Sequence, residues 1–148
     1  MDETLAKAAP ADVLAGSKGF WVVAIASLLW NAYGVLDYSM TKLHNSAWLQ
    51  AMKVDPAFLA KIDGAPAWAT GGWAVGVWAS LAGSLLLLLR SRHAALAFLV
   101  SLIGAVVSFS WMYGARIMPT LVVPAVIVGA IVLQWWYARR MDGAGVLR

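Results

Sequence analysis

Read for its apolar and polar positions, the chain resolves into four long apolar stretches divided by short polar ones. The stretches run over about 19–38, 67–89, 94–113 and 117–137. An α-helix of about 20 residues is about 30 Å long, the thickness of the hydrocarbon layer of a bilayer, so each stretch predicts one membrane-spanning helix. Only Arg90, Ser91, Arg92 and His93 separate the second from the third, which makes these two a tight antiparallel hairpin. The fourth is opened by Met118 and Pro119, is expected to bend at Pro124, and closes at Arg139 and Arg140. The fold predicted is all-α, a transmembrane four-helix bundle in a single membrane domain. Two segments interrupt the pattern. Residues 1–17 carry Asp2, Glu3, Lys7 and Asp12 and are broken by Pro10, as a polar tail would be; they lack the basic start, apolar core and cleavage site of a secretory signal. The stretch 39–66 is the only loop with room for structure. Asp55 followed by Pro56 supplies an N-cap and first-turn pair, predicting a short surface helix over 57–62, with Trp48, Leu49, Met52, Phe58, Leu59 and Ile62 on the outer membrane face or capping the bundle.

Composition strengthens the membrane assignment. Hydrophobic residues make up 62% of the chain and charged residues 12%, against about 45–50% and about 25% in soluble domains, so lipid must solvate much of the molecule. At 148 residues there is room for the bundle and no separate soluble domain, which places function within or at the edge of the bilayer. The net charge of +4 does not indicate nucleic acid, because Arg90, Arg92, Arg139 and Arg140 adjoin the ends of apolar runs, where lipid headgroups account for them. With the N-terminus inside, seven basic residues (Lys7, Lys18, Arg90, Arg92, Arg139, Arg140, Arg148) face the cytoplasm and four (Lys42, Lys53, Lys61, Arg116) face out, which predicts both termini cytoplasmic. The absence of cysteine excludes disulfides, thiol nucleophiles, iron–sulfur ligation and c-type haem attachment.

Chemistry concentrates on the first helix. Ser27, Asn31, Gly34, Asp37, Thr41 and His44 recur at helical spacing and form a polar stripe from mid-membrane to the outer surface. A carboxylate near the membrane boundary is costly unless hydrated, paired or protonated. Two readings follow. Asn31, Tyr33, Asp37, Tyr38 and Arg116 form a path for a solute or proton; or Asn31 bonds a neighbouring helix and Asp37 pairs with Arg116, the basic residue of the second outer loop. Gly72, Gly76, Ser80 and Gly83, with Ser101, Gly104 and Ser108, form small-residue faces on the second and third helices, suited to close packing within the bundle or to contacts between copies. Of nine tryptophans, Trp21, Trp68, Trp135 and Trp136 fall where an interfacial belt is expected, and Trp30, Trp73, Trp78 and Trp111 fall deeper. His44 and His93 lie on opposite sides of the membrane, so no metal site is expected; neither a catalytic residue nor a cofactor is expected, and the chain does not read as an enzyme.

Leu29-Trp30-Asn31, Gly34 and Asp37-Tyr38, taken with Gly76-Val77-Trp78, the run from Gly83 to Arg92, Tyr137 to Met141 and Gly145 to Arg148, carry a further signal. Over nearly the whole chain after the tail, the sequence resembles a family of small bacterial four-helix membrane proteins sometimes labelled sugar transporters. The resemblance implies a multi-pass protein of the bacterial inner membrane. It transfers no catalytic or binding residue. A four-helix chain is small for alternating access, so transport by a homo-oligomer is the expectation, with an accessory subunit of a larger membrane complex as the alternative.

Overall fold

The computed structural model describes residues 16–118 and 120–148; most of the expected tail, and Pro119, lie outside the described residues. Among the described residues six helices follow in order: α1 (Lys18–Lys42), α2 (Ser46–Ala51), α3 (Pro56–Asp63), α4 (Ala67–Leu88), α5 (Ala94–Gly114) and α6 (Val122–Gly143). Among the described residues there is no strand. The fold is an all-α bundle in which α1, α4, α5 and α6 are each long and apolar enough to cross a membrane. They run up, down, up and down, so that one end of the bundle carries Arg90, Arg92, Arg139 and Arg140 and the other carries α2 and α3. These are called below the arginine end and the loop end.

Solvent sorting in α1 is the reverse of that in a water-soluble helix. Ser27 and Asn31 are 5% and 4% exposed, whereas Val22 and Leu29 on the other face are each 66% exposed. Polar and small side chains point into the bundle and aliphatic ones outward, as hydrocarbon solvent requires.

The tightest seam joins α4 to α5. A Cβ placed on Gly104 would lie 2.6 Å from the Gly76 nitrogen and 2.7 Å from the Gly72 oxygen, so here only a hydrogen fits between two backbones. Ser101 Oγ donates to the Gly76 carbonyl across the same seam at 2.6 Å. Gly72, Gly76, Ser80 and Gly83 of α4 and Ser101, Gly104 and Ser108 of α5 are all buried within one chain. Gly72, Gly76, Gly83, Ser101 and Gly104 are therefore engaged in the α4–α5 contact inside the bundle. Next in the circuit, α1 packs on α4 and α6 on α5, while α1 and α6 do not pack along their length.

Several boundaries differ from the sequence expectation, each for a local reason. α1 continues to Lys42, a full turn beyond Tyr38, because Tyr38 packs edge-on against Trp73 of α4 at 4.9 Å and Thr41 is buried. The loop forms two short helices in place of one: Asn45 caps α2 by accepting from the Trp48 amide, and Asp55 caps α3 by accepting from the Ala57 amide, both at 2.9 Å. α6 starts at Val122, since Met118 precedes a proline and is disfavoured in a helix. Pro124 is then the third residue of α6, where an amide has no intrahelical partner to lose, so no bend is required there. At its other end α6 runs past Arg139 and Arg140, whose guanidinium groups lie over the Trp135 and Trp136 rings one turn earlier, at 5.9 and 5.5 Å from their centroids.

Helix ends share one device. After α1, α2, α4 and α5 the chain turns through a residue of positive φ, namely His44, Lys53, Arg90 and Arg116, at 52–57°. In each case the next amide reaches back five residues, as Ser91 does to Leu86 at 2.8 Å, to close a Schellman cap. α6 ends in the same way at Gly145, with Val146 donating to the Met141 carbonyl at 2.9 Å. That turn sends the last residues back beneath the arginine end. Val146 and Leu147 are buried among Phe20, Ala24, Leu87, Phe98 and Met141. The Arg148 backbone donates to the Arg90 carbonyl at 2.6 Å and accepts from the Arg92 amide at 2.9 Å. The arginine end is thus sealed by an apolar plug and a backbone strap.

Candidate functional site

Asn31 of α1 and Gln134 of α6 meet at 2.9 Å, and on the loop-end side of that contact the bundle holds a cavity of about 450 Å³. Its back wall is Trp73, Gly76, Val77 and Ser80 of α4 with Ala105, Ser108 and Phe109 of α5. Trp30, Asn31, Tyr33, Gly34 and Asp37 of α1 form one side, and Val122, Val123, Val126, Ile127 and Ile131 of α6 the other. Exposure locates the mouth: Gly76, Ser80, Ala105 and Ser108 are buried, whereas Trp30, Tyr33, Val122, Val123 and Val126 are exposed. The cavity opens between α1 and α6.

Asn31 forms its floor. The side-chain amide nitrogen donates toward Ser84 Oγ at 2.7 Å, Gln134 Oε1 at 2.9 Å and the Ser80 carbonyl at 3.2 Å, which ties α1 to α4 and α6 at one point. Ser84 Oγ in turn donates to the Ser80 carbonyl at 3.1 Å, so its lone pairs are what Asn31 meets. An NH2 group has two hydrogens, so one of the three bonds is shared. This network fixes the amide nitrogen on the arginine-end side and presents the Asn31 carbonyl oxygen, for which the described residues supply no donor, to the cavity. Ser84 and Gln134 were not legible as site residues in the sequence. A glutamine in the middle of an apolar run is the signal that marks such a position, since an amide in hydrocarbon needs a partner.

Asp37 stands at the rim, six residues and about 9 Å further along α1. Its carboxylate accepts from the Trp48 indole nitrogen of α2 at 3.0 Å. The expected Asp37–Arg116 ion pair does not form. Arg116 is exposed at the turn after α5 and does not line the cavity, and the Trp48 indole takes the place expected for it at Asp37. Tyr38 does not line it either, being turned onto Trp73. Tyr33 lines the mouth, and its hydroxyl reaches Met52 Sδ at 3.5 Å while its ring lies 6.1 Å from that of Trp48. Of the five residues expected to form a path, three therefore gather at one cavity. His44, at the far end of the expected stripe, has left the helix and meets Asp63 at 2.8 Å outside the cavity. The deeper tryptophans also divide: Trp30 and Trp73 line the cavity, whereas Trp78 and Trp111 do not.

The arrangement offers an apolar chamber with aromatic walls, one carboxylate at its rim and one vacant carbonyl at its floor. Such an arrangement can hold an apolar body against its walls and orient it by a few polar atoms. Comparisons with protein families, with curated proteins and with solved structures find no significant match.

Proposed function

We propose that this multi-pass membrane protein resides in the bacterial inner membrane, with both chain ends cytoplasmic, and binds a small amphipathic solute between α1 and α6 to carry it across the bilayer. The observation that supports the reading is the one-sidedness of the cavity. It is open in the loop-end half and stops at Asn31, beneath which Phe20, Leu87, Phe98, Val146 and Leu147 fill the arginine end. Alternating access needs a binding floor between two elements that can separate. Asn31 on α1 and Gln134 on α6 meet there, on two helices that do not pack along their length. Parting them at the arginine end would turn the same floor to the opposite side. A single chain supplies every wall, so the reading requires no second copy.

Gly34 allows a test that leaves folding intact. It lines the cavity, and a Cβ there would meet nothing within 4 Å. Gly34→Leu should fill the chamber while keeping or raising thermal stability, since glycine in a helix interior costs about 1 kcal/mol relative to alanine. Proteoliposomes of the wild type should take up amphipathic solutes from a test panel, and Gly34→Leu should abolish that uptake. Equal uptake by both proteins would contradict the reading.

The alternative is an accessory subunit of a larger membrane complex. It draws on α6, whose outer face exposes Val122, Leu133 and Trp136. Gentle extraction from the native membrane separates the two: fixed-stoichiometry co-purification with other chains favours the subunit, and recovery of this chain alone favours transport.

A further inference from the structure

We infer that the cavity selects organic cations, specifically amines carrying an apolar body, with the ammonium group at Asp37 and the body among Trp30, Tyr33, Trp73 and Phe109. The inference rests on the reading of the cavity as a solute site and names the class of solute.

Charge is the first argument. The lining contains one carboxylate and no lysine, arginine or histidine. Asp37 is half-buried, and the Trp48 indole engages one of its oxygens. Among the described residues nothing donates to the other, so one carboxylate oxygen remains for a ligand. A carboxylate beside an apolar chamber is matched by a cation and opposed by an anion.

The floor is the second argument, and it is independent of the first. Asn31 is 4% exposed, and its network holds both amide hydrogens on Ser80, Ser84 and Gln134. What remains toward the cavity is a carbonyl oxygen. Ser80 adds to this, because its hydroxyl donates to the Val77 carbonyl at 2.8 Å and keeps only lone pairs. The donors that remain in the lining, the Ser108 hydroxyl and the indole nitrogens of Trp30 and Trp73, are neutral. The α1 side therefore presents acceptors at two levels about 9 Å apart; an ammonium meets the carboxylate at the rim, and a carboxylate head finds no charged donor at either level. Ring faces along the walls favour a cation further.

Three probes with one body and different heads isolate the claim: 4-phenylbutylamine, 4-phenylbutan-1-ol and 4-phenylbutyrate. Each is titrated calorimetrically at neutral pH into the full chain in mild detergent, with Gly34→Leu protein measuring partition into the micelle. The amine is expected to bind about tenfold or more tightly than the alcohol, and the acid more weakly than either. Asp37→Asn, whose side-chain oxygen can still accept from Trp48, should bring the amine to the affinity of the alcohol. Wild-type protein that binds the alcohol as well as the amine overturns the cation assignment while leaving the cavity as a solute site, and so does an amine preference that survives Asp37→Asn. If no probe binds beyond the Gly34→Leu control, the solute reading fails and the assignment with it. Should Asp37→Asn not fold, Trp48→Phe takes its place: it keeps the carboxylate and removes the competing donor, so the amine preference should increase, and an unchanged or smaller preference counts against the proposal.

Discussion

Asn31 and Gly104 show at the scale of single residues how this bundle is specified. Asn31 is valuable for what it joins, since one amide meets groups of α4 and α6 that would otherwise face hydrocarbon. Asn31→Ala should lower stability by about 1–2 kcal/mol, and a double-mutant cycle with Gln134→Ala should give a coupling of about 0.5–1 kcal/mol in thermal or denaturant unfolding. Additive losses would mean that the two amides act separately. Gly104 is valuable for what it lacks. Gly104→Ala forces a methyl against the backbone of α4, where nothing flexible can yield, and should cost about 2–3 kcal/mol or more. The same substitution at Gly34 meets open space and should cost nothing in the same unfolding experiment. Asn31 and the small-residue positions stood out in the sequence because polar and tiny side chains are conspicuous in apolar runs. Their partners were less visible. Asp37 was matched with Arg116 on depth alone, but hydrogen bonding depends on direction, and the α1–α2 turn carries the Trp48 indole to Asp37 first.

At the scale of elements, the four spans were legible because hydropathy over about 20 residues is a strong signal. Their ends were not, because caps decide them. His44, Lys53, Arg90 and Arg116 adopt the left-handed conformation that usually calls for glycine, so the sequence carries no glycine to mark these stops. A left-handed conformation costs a residue with a Cβ about 1–2 kcal/mol. Lys53 is exposed and outside the cavity, so Lys53→Gly should raise the melting temperature slightly or leave it unchanged, where the same change inside a helix would lower it. The segment after α6 was likewise unreadable as structure, since five residues are too few for a pattern. It nevertheless buries Val146 and Leu147 under the arginine end. Deleting residues 146–148 exposes that plug to water and headgroups and should cost about 2–4 kcal/mol, measured as loss of thermal stability in detergent.

Across the whole molecule, the contrast between the two ends supports the functional account. Packing is continuous at the arginine end, where α1, α4, α5, α6 and the returning chain share one core. In the loop-end half α1 and α6 form opposite sides of the cavity. Sequence reading reached the α1 side of this cavity, through Asn31, Tyr33 and Asp37, because polar residues announce themselves. It did not reach the α6 side, whose valines and isoleucines are those any lipid-facing helix would carry; only the packing order distinguishes a chamber wall from a membrane surface.

The central claim is that the cavity is accessible from the loop end and closed at the arginine end. The chain contains no cysteine, so a single introduced thiol reports alone. Serine-to-cysteine changes preserve size at Ser108, which lines the cavity, and at Ser101, which is fully buried in the α4–α5 seam. In sealed right-side-out vesicles treated with a charged, membrane-impermeant thiol reagent, the account predicts that Ser108→Cys reacts and Ser101→Cys does not, and that in inside-out vesicles neither does. Reaction of Ser108→Cys only in inside-out vesicles would reverse the orientation, and failure to react from either side would contradict the open cavity itself.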